Sequence, residues 1–555
     1  MNNQTHTGRT VIPSRHLMTA LVFSLGLALF VEHRIFLDPF ALNDDIRNQI
    51  YWLARIVNPH LFPADYIANY FTQPLLIAPA LLALYSSLAP WLAPLTLSQY
   101  LPLALVVIAT FFLFKFCKAA RNAEYASWVC YCFNISVWLV KNLSGGLPRA
   151  FIYPLLFALL WALQTRRWFL VTITLWLSAL IYPPVLMLGL GILIVEIIRA
   201  RGQKSDVIPR AQCLAVSFLG IIGIIGTRLG WSTAPTLYGP LTTDRIAQHM
   251  RDFYWGGRVV LYTMPYATEP GFPLNWVMPI LQRLPHLYIL IPVLVFGVLR
   301  LIYLRWFKRA IGPVKLPPLL GSCIIASLCM YILAWLFLFY LYVPERYLEY
   351  TLLILPGFML PDLLLNARAR LARHSRRITL GFLLFSITIS SFFWRADLMH
   401  IPNREKQLYA HLKGLPAHSM MAAPPGLANN IPLFASQSVM LNNETYIPFH
   451  QAYFREMKSR LHDWLLAYYA TDRQPVARLI QKYHLSYLVL QTADFKPGML
   501  DKVEKKSYYA FPTPFFKALK QEDSSAYYLL RLPTSCITYQ TRIFRVIDTK
   551  RCEFP

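Results

Sequence analysis

Apolar runs long enough to cross a bilayer recur from Leu17 as far as residue 394 of this 555-residue chain. A crossing takes ~20 predominantly apolar residues, and inside hydrocarbon a helix satisfies its own backbone hydrogen bonds. The expected fold class is therefore a polytopic α-helical membrane protein, in keeping with 56% hydrophobic and 14% charged residues. Leu17–Phe36 is long and lacks a small-residue cleavage site, so it reads as a retained first span rather than a signal peptide.

The net charge of +26 would suggest nucleic acid in a soluble chain. Here Lys and Arg gather in short loops between apolar runs, which is the positive-inside pattern, and nucleic acid is set aside as a partner. The clusters are Arg9/Arg15, Lys115/Lys118/Arg121, Arg166/Arg167, Arg199/Arg201/Lys204/Arg210, Arg305/Lys308/Arg309/Lys315 and Arg368/Arg370/Arg373/Arg376/Arg377. With all of them in the cytoplasm, span pairs fall at 124–142 with 150–164, 168–182 with 184–198, 212–228 with 279–302, and 318–342 with 347–365. The interval 71–114 pairs with the first span, and a last span near 378–394 leads outward. Pro183-Pro184 divides 168–198 into two helices, because proline inside a helix removes a hydrogen bond and clashes. The count is about 11 spans, N-terminus inside and C-terminus outside.

Residues 1–394 thus read as the membrane region, with outer loops 37–70 and 229–278, and residues 395–555 as an extracytoplasmic soluble α/β domain. In that domain Asp463–Tyr483 reads as helix, and Leu485–Gln491 and Tyr527–Leu532 as strands. The eight cysteines show no metal-ligand spacing. Cys536 and Cys552 alone lie in the soluble region, where an oxidising compartment would let them close a terminal hairpin-like segment as a disulfide.

The polar, non-basic motifs all fall on the outer face. Asp44-Asp45 stands out, since only 14 acidic residues occur in the first 394. One reading is a turn and helix N-cap before Ile46-Arg47-Asn48; the other is chemistry, a carboxylate that deprotonates a hydroxyl or holds a divalent cation. Arg149 closes Gly145-Gly146-Leu147-Pro148-Arg149, and Arg346 lies in Pro344-Glu345-Arg346-Tyr347. Each sits at the outer mouth of a span, against the inside bias. Snorkelling or an ion pair with Glu345 or Glu349 explains them structurally, and forked binding of phosphate explains them functionally. Loop 229–278 adds His249, Asp252 and Arg258 in an acidic, basic and aromatic mixture suited to a sugar, with a plain amphipathic helix from Thr242 to Phe253 as the structural reading. Tyr182-Pro183-Pro184 reads as a helix break.

A first span, an outer loop with Asp44-Asp45, many further spans and an outer α/β domain together resemble the GT-C superfamily of integral-membrane glycosyltransferases. The Gly-Leu-Pro-Arg149 and Pro-Glu-Arg346-Tyr347 segments are similar to those of bacterial members. The resemblance implies an inverting enzyme of the bacterial cytoplasmic membrane. It would pass a sugar from a polyprenyl-phosphate donor to an acceptor glycan, lipid or protein at the outer face. Asp44 or Asp45 would be the general base, and Arg149, Arg258 and Arg346, with Glu345, Tyr347, Asp252 and His249, would bind substrate and phosphate. Some members need a divalent cation. This chain lacks an obvious outer ligand set beyond the acidic pair and loop 229–278, and the reading leans to none. A transporter or flippase of lipid-linked sugars, or a polysaccharide polymerase or ligase, is the competing reading; the first would carry mid-membrane charges, and the others would not need the acidic pair.

Overall fold

Prolines set the helix starts. Pro79, Pro94, Pro183 and Pro318 each open a helix, where the missing N–H has no intrahelical partner to lose; these helices are Pro79–Leu88, Pro94–Ala120, Pro183–Arg199 and Pro318–Leu336. The computed structural model describes residues 15–200 apart from 64, 74–77 and 138–142; 209–261 apart from 220, 223–236, 255–256 and 260; 317–361 apart from 339, 342, 353, 356 and 359–360; 398–552 apart from 506–510 and 522; and 554. The spans expected at 279–302 and 378–394, the boundary at 394 and the larger part of loop 229–278 lie outside the described residues.

Four further apolar helices, Arg15–Val31, Ala123–Val137, Ile152–Gln164 and Trp168–Ile181, pack with the last three of the proline-started helices into one apolar core. Pro79–Leu88 buries Leu81 and Tyr85 in a smaller cluster with Leu42, Ile46 and Leu97. Tyr182 is extended between Trp168–Ile181 and Pro183–Arg199, which is the expected proline break. Among the described residues Pro94–Ala120 and Pro318–Leu336 are long and apolar enough to cross a membrane, and shorter apolar helices accompany them. A closed ring of polar groups links three helices inside this core. Thr110 donates to Ser24 (2.9 Å), Ser24 to Asn134 Oδ1 (2.9 Å), and Asn134 Nδ2 back to Thr110 (3.0 Å). Each buried donor therefore has its acceptor, which is what lets polar side chains sit at such depth.

The C-terminal region is built on a five-stranded sheet ordered β4-β3-β5-β7-β6. Its strands are β3 (Met420–Ala422), β4 (Ser438–Val439), β5 (Tyr487–Gln491), β6 (Ile537–Gln540) and β7 (Phe544–Asp548). The first three run parallel, while β7 is antiparallel to β5 and to β6. β5 lies within the expected strand Leu485–Gln491, and its first four residues are buried. A disulfide joins Cys536 and Cys552, just outside the two ends of the β6–β7 hairpin.

Three local expectations are corrected. Asp463–Tyr483 is two helices, Gln451–Tyr468 and Arg473–Tyr483, because Asp472 caps the second by accepting from the Gln474 N–H (2.9 Å). Tyr527–Leu532 is a 3-10 turn rather than a strand. Tyr527 and Leu529 alternate into the core as strand residues do, yet the N–H groups of Leu530 and Arg531 close back on Tyr527 and Tyr528. Thr242–Phe253 is no continuous helix but two short pieces, Asp244–Ala247 and Arg251–Phe253.

The two regions are sewn together by the loops 37–70 and 229–278. β1 (Leu42–Asn43) pairs antiparallel with β2 (Leu398–Met399), anchoring the first loop at the entry to the C-terminal region. Thr242 N and Oγ1 donate to Phe449 O and Pro448 O, both at 2.8 Å, and Gln451 N donates to Pro240 O (3.0 Å). Tyr70 stacks on Tyr453 at 3.7 Å, and its hydroxyl lies 2.8 Å from His450 Nδ1.

Burial holds the His450 imidazole below its usual pKa, so the ring is neutral in this seam. A depressed pKa contributes stability that is present above the ordinary value near 6.5 and is lost as pH falls through the folded value. The unfolding midpoint of the purified protein is therefore expected to fall on acidification below about pH 6.5, and His450→Gln to flatten that part of the profile. An unchanged profile in the variant would contradict the assignment.

Candidate functional site

Asp44 and Asp45 follow directly on β1, so the strand pairing that orders Asn43 also sets where the two carboxylates emerge. Asn43 is the local hub. Its Nδ2 donates to Ser144 Oγ (2.6 Å), and its Oδ1 accepts from Asp45 N (3.1 Å) and Arg149 Nη2 (3.3 Å). The turn that brings Arg149 there depends on its two glycines. Gly145 and Gly146 both have positive φ (85° and 60°), and a Cβ on the second would lie 3.0 Å from Ser98 Cα. Only glycine takes this backbone without strain.

The N-cap reading of the acidic pair is not what the side chains do. Asp45 occupies the N-cap position of Ile46–Gln49, but its carboxylate caps no N–H and instead pairs with Arg149 Nη1. Asp44 pairs with Arg47, whose Nε also donates to Asp44 O (3.0 Å). Arg47 Nη2 reaches on to Glu444 Oε1 (2.9 Å), and Arg258 Nη2 grips Glu444 Oε2 (2.6 Å) and Glu444 O (3.2 Å). Asp44, Arg47, Glu444 and Arg258 thus form one chain of ion pairs that joins loop 37–70, loop 229–278 and the C-terminal region, and the Asp45–Arg149 pair stands next to it along the backbone. Asp44 is the exposed end of the ion-pair chain, with 59% of its side chain accessible, while Arg47 at 6% is buried.

Burial is the largest influence on Glu444, raising its pKa; Arg258 and Arg47 pull it back, and Asp44 and Asp45 add to the rise. Burial likewise raises Asp252, against Lys458 and Arg251. Beside Glu444 lies a cavity of about 90 Å³ lined by Arg258, Asn429, Asn443, Glu444 and Tyr446.

Of the residues singled out in the sequence, Asp44, Asp45, Arg149 and Arg258 are brought together. Arg346 forms an ion pair with Glu349 (2.9 Å), one of its two structural readings, and Glu349 also feels the charge of Arg149. Tyr347 is buried and donates to Leu341 O (2.6 Å), so its hydroxyl fastens the preceding turn, while Glu345 opens the Glu345–Leu352 helix beside it. His249 is exposed and bonds Arg245 O within its own turn (2.8 Å). Asp252 is buried beside the apolar cluster of Phe253, Tyr254 and Trp335. Sequence reading missed Arg47, Asn43 and Glu444. An Arg three residues after Asp44 is a local signal; Glu444 is 397 residues from Arg47 and offers none.

No family model matches the chain, and no curated protein matches it. Among solved structures it is similar to the oligosaccharyltransferase of Archaeoglobus fulgidus. The complex with Zn and sulfate gives a TM-score of 0.51 at 12% identity, over 90% of this chain and 70% of that one. The form tethered by a disulfide to an acceptor peptide with the NVT sequon gives 0.53 at 10%, over 91% and 72%. The apo form gives 0.52 at 11%, again over 91% and 72%. At these identities the likeness is one of fold alone. The zinc in the first structure raises the question of a resident cation here. Among the described residues no three His, Cys, Asp or Glu side chains are grouped to hold one. Asp44, Asp45 and Glu444 are each met by a guanidinium instead. The donor set among the described residues therefore does not fit a resident metal ion.

The network makes a testable distinction between two partners of one arginine. Glu444→Ala leaves buried Arg47 and half-buried Arg258 without their shared counter-charge and is expected to cost about 3–5 kcal/mol. Asp44→Ala removes only the exposed carboxylate and leaves Arg47 paired with Glu444, expected to cost about 0–1 kcal/mol. Denaturant unfolding of the detergent-purified protein measures both, and equal losses would contradict the arrangement.

Proposed function

We propose that the chain is a membrane glycosyltransferase that moves a sugar from a polyprenyl-phosphate-linked donor to an acceptor hydroxyl. The reaction takes place at the outer face of a bacterial cytoplasmic membrane, with the chain crossing about 11 times, its N-terminus cytoplasmic and residues 395–555 outside. The fold likeness supports the class. The observation that carries the reading is the charge arrangement itself, in which an exposed carboxylate, Asp44, is held by Arg47, Arg47 is linked through Glu444 to Arg258, and the neighbouring Asp45 holds Arg149.

In this reading Asp44 is the general base. It takes the proton of the acceptor hydroxyl as the hydroxyl oxygen bonds to the anomeric carbon, and the carbon–phosphate-oxygen bond breaks with inversion. The electron pair leaves on the polyprenyl phosphate, where Arg149 meets the growing charge, with Arg258 and Arg346 nearby. Donors fixed in advance stabilise such charge without reorganising at the moment of reaction. Asp45 then orients Arg149, its ion-pair partner, rather than acting as a second base. A flippase would carry the donor across vesicles and form no product, so one assay separates the two readings.

The test is transfer from a labelled polyprenyl-phosphate sugar in proteoliposomes. Asp44→Asn is expected to lower kcat by about 10²–10⁴-fold, the usual worth of a general base, while donor binding is kept. Arg149→Lys, which loses the planar fork, is expected to weaken donor binding. Full transfer in Asp44→Asn would overturn the base assignment, and donor translocation without product would favour the flippase.

A further inference from the structure

We propose that the cavity bounded by Arg258, Asn429, Asn443, Glu444 and Tyr446 binds one pyranose ring, so that the acceptor is a saccharide. The word acceptor rests on the transferase reading above; the binding of a sugar ring does not. A water needs roughly 10–15 Å³ of such space, and the cavity offers about 90 Å³. That is room for several waters, which the polar edge of a sugar would replace.

The lining suits a neutral polyhydroxyl better than other ligands. Arg258 and Glu444 form an ion pair in its wall, so a phosphate or carboxylate meets little net charge. Arg258 uses Nη2 for that pair, and its Nε is buried without a partner. Asn429 Oδ1 accepts from Glu444 N (3.0 Å), which fixes the wall, and its Nδ2 makes no hydrogen bond among the described residues. Amide and guanidinium donors thus stand next to carboxylate acceptors, and a vicinal diol presents both donor and acceptor at each oxygen. Tyr446, buried and held edge-on to Phe454 at 5.0 Å, supplies an aromatic wall for the apolar face of a ring. An acyl chain would find apolar surface at that one residue alone among the five.

The position is as informative as the chemistry. Glu444 lines the cavity and also holds Arg47, and Arg47 holds Asp44. A ring seated here lies one guanidinium away from the exposed carboxylate.

The test is saturation-transfer NMR on the purified full-length chain with glucose, galactose, mannose and N-acetylglucosamine as probes. At least one is expected to bind, and Asn443→Leu to weaken it at least tenfold with an unchanged melting temperature. Should that variant misfold, Asn443→Ala serves the same purpose. Binding is expected to persist in Asp44→Asn. No binding of any probe, binding indifferent to the Asn443 variants, or displacement by an acceptor-type peptide with none by sugars would each overturn the proposal. Sugar binding without transfer in the wild type would sink the transferase reading and leave the cavity assignment intact. Transfer to a non-saccharide acceptor without sugar binding would do the reverse.

Discussion

A single buried carboxylate, Glu444, shared between Arg47 and Arg258, is the interaction on which the site depends. Charges removed from water carry a desolvation penalty of several kcal/mol each, repaid only by close, well-directed partners. Glu444 has these on every side. Both carboxylate oxygens meet a guanidinium, its N–H is bound by Asn429, and its carbonyl accepts from Arg258. Because Arg47 belongs to loop 37–70 and Arg258 to loop 229–278, one residue of the C-terminal region fixes both. The β1–β2 pairing and the Tyr70–His450–Tyr453 seam hold the same segments from either side, so Glu444 acts within a frame already close to its final geometry.

This arrangement explains how a fold shared with a distant oligosaccharyltransferase carries its own site chemistry. The helical core sets where the two loops emerge, while the charged residues on those loops set the local chemistry. In this chain carboxylates face guanidiniums, a pattern that neutralises the site at rest and leaves Asp44 exposed at its rim. The Gly145-Gly146 turn matters for the same reason, since it lets Arg149 approach the acidic pair across a backbone contact that a side chain would block.

Much of the frame was legible in the sequence, because it rests on local rules. Apolar length marks helices such as Pro94–Ala120, proline marks their starts and the break at Tyr182, and a buried apolar run marks β5. The acidic pair, Arg149 and Arg258 stood out because charge is scarce there and runs against the inside bias. Glu444 could not stand out. It lies in an ordinary polar stretch, Asn442-Asn443-Glu444-Thr445, and its importance comes from partners hundreds of residues away. Tyr527–Leu532 failed for a related reason: alternate burial mimics a strand, and only the hydrogen bonds reveal a turn. Tyr347 and His249, candidates by type and position, each also bond their own local backbone.

If Glu444 works by positioning Asp44 through Arg47, its effect on turnover must run through Asp44. A double-mutant cycle on kcat at saturating acceptor, using Glu444→Gln and Asp44→Asn, measures this directly, since coupled residues depart from additivity while independent ones do not. Glu444→Gln is expected to lower kcat tenfold or more in the wild type and to change it little in the Asp44→Asn background. Losses that simply multiply would contradict the linked network.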